Sequence, residues 1–128
     1  MRGVPCCVLV AGISETLRAE VKKYQDIVER LRLIALNKQQ IQAQLGEINN
    51  ALRELDKAGE GAAVYKVVGT VMISRKRDDV IRELNDLRET LEVRLKALEK
   101  QEDLLKKQLN QLEKKLARKL GGSAPGAG

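Results

Sequence analysis

Ala62-Ala63-Val64-Tyr65-Lys66-Val67-Val68-Gly69-Thr70-Val71-Met72-Ile73-Ser74 reads as two short β-strands set between two long helical segments of nearly equal length. Val64 and Val68 fall on one face of this stretch, and Tyr65 and Val67 on the other, because successive strand residues point to opposite sides. Covering one face would leave valines in water. Two helices leaving a hairpin in the same direction cannot wrap both of its faces, and an isolated two-stranded hairpin is marginal in water. The stretch is therefore an assembly element, expected to complete a sheet or barrel with strands from other chains.

Outward on the N-terminal side, Leu17, Val21, Tyr24, Val28 and Leu31 recur at alternating steps of four and three. That spacing is a heptad seam. A step of three then repeats to Ile34, after which Lys38, Ile41, Leu45, Ile48, Leu52 and Leu55 resume the alternation. Such a discontinuity changes the supercoil locally without ending the helix. Ser14 suits an N-cap with Glu15 in the first turn, while Gly59 and Gly61 end the segment.

On the C-terminal side, Asp78 and Asp79 favour a helix start. The second seam follows through Val80, Leu84, Leu87, Leu91, Leu95, Leu98, Leu105, Leu109, Leu112, Leu116 and Leu120, with Glu102 as its charged position. Gly121, Gly122 and Pro125 stop it. The expected organisation is an N-terminal extension over 1–13 that is disordered, helix 1 over 14–58, the hairpin element over 59–75, helix 2 over 76–120 and a flexible tail over 121–128. The fold class is mainly α: a long antiparallel two-helix coiled coil with a short β-hairpin between the helices. Folding back places Leu55 near Val80 and Leu17 near Leu116, and the polar seam positions Lys38 and Glu102 help fix register.

The composition agrees with narrow seams rather than a wide core. Phe and Trp are absent, Tyr occurs 2 times, and charged residues make up 33% of the 128 residues. No stretch approaches the ~20 apolar residues of a spanning helix. The net charge of +6 is concentrated between Leu104 and Leu120, where Lys106, Lys107, Lys114, Lys115, Arg118 and Lys119 face only Glu113. A helix C-terminus favours such cations, so a solvated basic end accounts for them.

Residues 1–12, MRGVPCCVLVAG, differ from the rest. They make a poor signal peptide: the apolar run is short, Pro5 interrupts it and no small-x-small cleavage site follows. A translation start further on, near Val8 to Val10, is a second reading of this segment. Cys6 and Cys7 are adjacent, which closes no loop and fits a reducing, cytoplasmic setting. With no histidine and no second cysteine pair, no metal site is expected.

Catalysis has little to work with. A general base at neutral pH would need a strongly shifted carboxylate or lysine, and an open coiled coil encloses no pocket to shift one. Gly59, Gly61 and Gly69 lack the spacing and Lys-Ser/Thr ending of a phosphate loop. No catalytic residue and no cofactor is assigned. The informative surface is the seam where the two chain ends meet. Ile13, Leu17, Val21, Leu109, Leu112, Leu116 and Leu120 are candidates for an apolar binding surface there, rimmed by Lys114, Lys115, Arg118 and Lys119. Ordinary coiled-coil core is the other reading, and for Leu17, Val21 and Leu112 taken alone the better one. If the hairpins gather several chains, these ends become multiple weak contacts that gain avidity.

The segments VYKVVGTV (64–71) and ETLEVRLKALEKQE (89–102) resemble the beta-class subunits of archaeal prefoldin, a likeness that extends from about Ser14 to Leu120. The connection from Gly59 to Arg75 holds one hairpin, as in the beta class, whereas the alpha class carries two. The resemblance implies a heterohexamer of two alpha and four beta subunits whose hairpins form a central β-barrel. Val64, Tyr65, Val67, Val68, Val71 and Ile73 would belong to that barrel. The coiled-coil ends named above would hold unfolded proteins without ATP and pass them to a group II chaperonin. Two departures stand out: apolar Val4 to Val10 precede the family's usual start, and Lys76 occupies the start of helix 2 where a capping Ser, Thr or Asp is expected. A coiled-coil arm gripping nucleic acid through its basic end, Lys106 to Lys119, is the alternative function.

Overall fold

The computed structural model describes residues 3–121, and side-chain surroundings for 15–119. The element order is α1 (Gly3–Ala58), β1 (Val64–Val68), β2 (Val71–Arg75) and α2 (Arg77–Gly121). Helix α1 starts at Gly3, eleven residues before the expected N-cap at Ser14, so the expectation of disorder over 1–13 gives way to helix from Gly3 onward. Pro5 permits this because the first turn of a helix has no use for its missing N–H. Of the expected tail over 121–128, Gly121 is the last residue of α2, and 122–128 lie outside the described residues.

Gly59, at φ +80°, ends α1 in the left-handed conformation that glycine adopts without steric cost. Helix α2 begins when Val80 N–H donates to Lys76 O at 3.1 Å. Lys76 thus fills the N-cap position through its backbone, and Asp78 and Asp79 in the first turn supply the negative charge that the dipole favours.

The seams follow a stricter repeat than the sequence reading expected. Ile27, Ile34, Ile41 and Ile48 are all buried and lie seven residues apart. Leu17, Tyr24, Leu31, Lys38, Leu45 and Leu52, also spaced by seven, are half-buried between them. Extending the isoleucine series one step back reaches Glu20. Val28 is 42% exposed, so the seam does not pass through it and the expected discontinuity after Leu31 does not occur. The reason is geometric: one residue along a helix turns the side chain by ~100°, and only Ile27 keeps the 3.5-residue step shared by its neighbours. On α2 the same rule removes Leu87, which is 48% exposed, and puts the half-buried Arg88 in its place between Leu84 and Leu91.

The chain divides into two compact units, one holding the residues up to Ala35 and from Lys100 on, the other Leu36–Glu99. In the first, Ile27, Leu112 and Leu116 form the buried core, with Leu17, Val21, Tyr24, Leu31, Leu105 and Leu109 packed against it. In the second, Ile41, Ile48 and Leu91 are the core, flanked by Leu45, Leu52, Leu84, Leu95 and Leu98. Each unit is a helix pair whose apolar seam is shut by one helix from each side.

The second unit also carries the hairpin. Strands β1 and β2 pair antiparallel in the register Val64↔Arg75, Tyr65↔Ser74, Lys66↔Ile73, Val67↔Met72 and Val68↔Val71. The two-residue turn is Gly69-Thr70, with Gly69 at φ +61° and no non-glycine residue at positive φ among the described residues. A turn with φ positive only at its first central residue is of type II′, matched to the strand twist and demanding glycine there. A Gly69→Ala variant is therefore expected to lose ~1–3 kcal/mol, read as a lower unfolding midpoint at constant chain concentration.

Candidate functional site

Directly opposite residues in an antiparallel pair share a face, so the register sorts the hairpin into two surfaces. Val64, Val68, Val71 and Ile73 lie on one with Lys66 and Arg75, and Tyr65, Val67 and Met72 lie on the other with Ser74. Neither is covered among the described residues: Tyr65, Val67, Val68, Val71, Met72 and Ile73 are all exposed, Val67 to 67% and Met72 to 64%. Among the apolar hairpin residues only Val64, at the base, is half-buried. The structure thus brings together all six hairpin positions expected from the sequence and adds Met72, whose pairing with Val67 follows from the alternation once the turn is fixed at Gly69-Thr70. A contiguous two-sided apolar surface of this kind on a monomer marks an interaction site.

The base of the hairpin is tied by arginines. Arg75, the last residue of β2, donates a hydrogen bond to the Glu83 carboxylate in the second turn of α2. This hydrogen bond, and then the guanidinium charge with a smaller contribution from Lys66, hold Glu83 below the ordinary glutamate value against the opposing effect of burial. Arg77 Nε donates to Leu55 O in the last turn of α1 at 2.8 Å.

The seven candidates at the chain ends are placed differently. Leu112 and Leu116 are buried against Ile27, and Leu17, Val21 and Leu109 are half-buried around them. The side chains of Ile13 and Leu120 lie outside the described residues. With the helix ends closed, Leu17, Val21 and Leu109 present apolar surface at the rim of the seam, while Leu112 and Leu116 face the opposite helix.

A charged clasp spans the same seam. Glu20, at an isoleucine position of the repeat, accepts a hydrogen bond from Lys119 Nζ and lies 3.9 Å from Lys115 Nζ. The Lys119 hydrogen bond, followed by the charges of Lys115, Lys119 and Lys23, holds the carboxylate below the ordinary glutamate value, although burial pushes it up. Its second oxygen, Oε2, is buried without a partner. Tyr24 OH donates to Glu113 Oε1 at 3.4 Å across the same pair of helices. Sequence reading missed Glu20 because Val21 beside it satisfied the apolar pattern. Among the described residues no group of acidic, cysteine or histidine side chains could hold a metal ion, and no helix is long and apolar enough to cross a membrane.

A family model described as "Prefoldin subunit" matches residues 18–123. The chain belongs to the prefoldin family, in its beta class. It is 36% identical over 118 residues to the prefoldin subunit beta of Caldivirga maquilingensis, covering 92% of this chain and 98% of that one. With the prefoldin subunit beta of Pyrobaculum calidifontis it shares 33% identity over 111 residues, 87% and 89% of the two chains. The crystal structure of the prefoldin beta subunit from Thermococcus strain KS-1 superposes with a TM-score of 0.75 at 35% identity, covering 82% of this chain and 92% of that one. Two long helices with a small antiparallel hairpin between them are the architecture expected from the sequence, and the prefoldin beta structure shares it. Prefoldins are chaperones, and membership implies assembly with other prefoldin subunits.

Proposed function

We propose that this chain is the beta subunit of an ATP-independent holdase that acts in the cytoplasm. Two alpha and four beta subunits join through their hairpins into a β-barrel body, and the helix ends hold unfolded proteins and deliver them to a group II chaperonin. The observation that carries the reading is the hairpin, apolar and exposed on both faces. Residues that a lone chain leaves in water are the ones an oligomeric barrel buries, and burying each valine- or isoleucine-sized side chain contributes ~1.5–3 kcal/mol. Leu17, Val21 and Leu109 at the seam rim supply the client surface, joined by Leu112 and Leu116 where the helix ends part.

The test mixes the chain with an alpha-class partner, measures the mass of the complex, and follows aggregation of a chemically denatured protein diluted into it without nucleotide. A two-alpha, four-beta mass and arrested aggregation are expected; a complex that leaves aggregation unchanged overturns the holdase reading. Truncation after Leu105 removes Leu109, Leu112 and Leu116 and leaves the hairpin intact. The truncated complex is expected to assemble but to need about tenfold more protein, or more still, for equal suppression, since weak contacts held together multiply. Unchanged suppression places the client surface elsewhere. A salt series separates this reading from nucleic-acid binding through Lys106–Lys119. Phosphate contacts weaken steeply with added salt, while apolar capture persists.

A further inference from the structure

Arg77 stands at the end of a helix where a cation is disfavoured. It is the first residue of α2, beside the positive pole of the helix dipole. Its guanidinium nevertheless points back over the last turn of α1, where Nε donates to Leu55 O at 2.8 Å across 22 residues of chain. Leu55 O is one of the final four carbonyls of that helix, the group that carries its negative pole and lacks a full set of intrahelical partners. Asp78 Oδ1, 3.3 Å from Nη1, steadies the other side of the fork. The Arg77 side chain is 14% exposed, whereas Asp78 is open to water at 80%. One side chain therefore ties the start of α2 to the end of α1 and closes the segment that carries the hairpin at its base. Arg75, two residues earlier, ties β2 to α2 through Glu83.

We propose that Arg77 is the positioning residue of the assembly hairpin: by clasping the end of α1 it fixes the direction in which the two apolar faces are offered to neighbouring subunits. This rests on the hairpin-assembly reading above. A hairpin attached only through two glycine-flanked or single-residue connections samples many directions, and each must be given up on assembly. A hairpin already aimed gives up fewer, which is the advantage of pre-organisation. The planar fork suits the task, since a guanidinium can hold a carbonyl and a carboxylate at once in a set geometry.

The experiment uses the full chain with Cys6→Ser and Cys7→Ser, spin-labelled at Thr70→Cys and Asp56→Cys, together with its alpha-class partner. Three readouts are taken: helix content, the label-to-label distance distribution, and the concentration at half-assembly. Arg77→Met, which keeps the stem and removes the fork, is expected to retain helix content, broaden the distribution and raise the half-assembly concentration about tenfold or more. Arg77→Lys keeps a charge over the helix end without the fork and is expected to lie between the two. A distribution as narrow as wild type in Arg77→Met, or a broad one with unchanged assembly, overturns the proposal. Should Arg77→Met fail to fold, Arg77→Lys decides, and equality with wild type in distance and assembly overturns it. A Val67→Glu/Ile73→Glu chain run alongside separates the two readings. If that chain assembles fully, hairpin assembly itself falls; if it fails while Arg77→Met assembles as wild type, only the role of Arg77 falls.

Discussion

A Val67→Glu/Ile73→Glu chain is expected to stay apart from its partner subunits at concentrations where the wild type forms the full complex, with its helix content unchanged. The two residues lie on opposite faces of the hairpin, so the variant strikes both surfaces at once. Losing the burial of two branched side chains removes ~3–6 kcal/mol, which converts to a weakening of about 10²- to 10⁴-fold. Two carboxylates that would have to leave water weaken it further. The helices are insulated from the change because both residues are exposed and belong to neither core cluster. The measurement is the mass of the mixture across a dilution series. A full complex at wild-type concentration overturns assembly through the two hairpin faces.

The second large effect is expected at Leu91, which is 4% exposed and packs with Ile41 and Ile48. Leu91→Ala should lose ~2–5 kcal/mol, the transfer free energy plus the cavity left behind. That is a large share of the ~5–15 kcal/mol that ordinarily holds a domain folded. The companion variant is Leu87→Ala. Leu87 is 48% exposed, so its loss should stay within ~0.5 kcal/mol. Urea midpoints at one fixed chain concentration, with unchanged slope, measure both. The pair distinguishes the seam through Arg88 from a seam through Leu87, since the latter predicts comparable losses at the two leucines.

How far the sequence could be read differs from place to place, and the differences have causes. The hairpin was legible because two-residue alternation sends Val64 and Tyr65 to opposite faces whatever surrounds them. The helix pair was legible because leucine and isoleucine recur with the heptad over most of both segments. The seam failed locally where two apolar residues stand side by side, as at Ile27-Val28, or where a leucine precedes an arginine, as at Leu87-Arg88. Hydrophobicity alone chose Val28 and Leu87; the strict seven-residue spacing of Ile34, Ile41 and Ile48, carried backwards, would have chosen Ile27 and then Glu20. Arg77 was out of reach for a different reason. Its partner is a backbone carbonyl 22 residues away, and no side-chain pattern records where a carbonyl will lie.

The scarcity of aromatic residues has a practical side. The chain has 2 tyrosines and no tryptophan or phenylalanine, and each tyrosine falls in a different place. Tyr65 stands on the bare face of the hairpin, 56% exposed, and Tyr24 packs against the Ile27, Leu112 and Leu116 core with its hydroxyl toward Glu113. Replacing either by leucine leaves a single ultraviolet chromophore in the whole molecule. A chain that keeps Tyr65 reports subunit joining through its emission. A chain that keeps Tyr24 reports the packing of the helix ends around Ile27, Leu112 and Leu116, so the two places can be followed separately without a dye or a label.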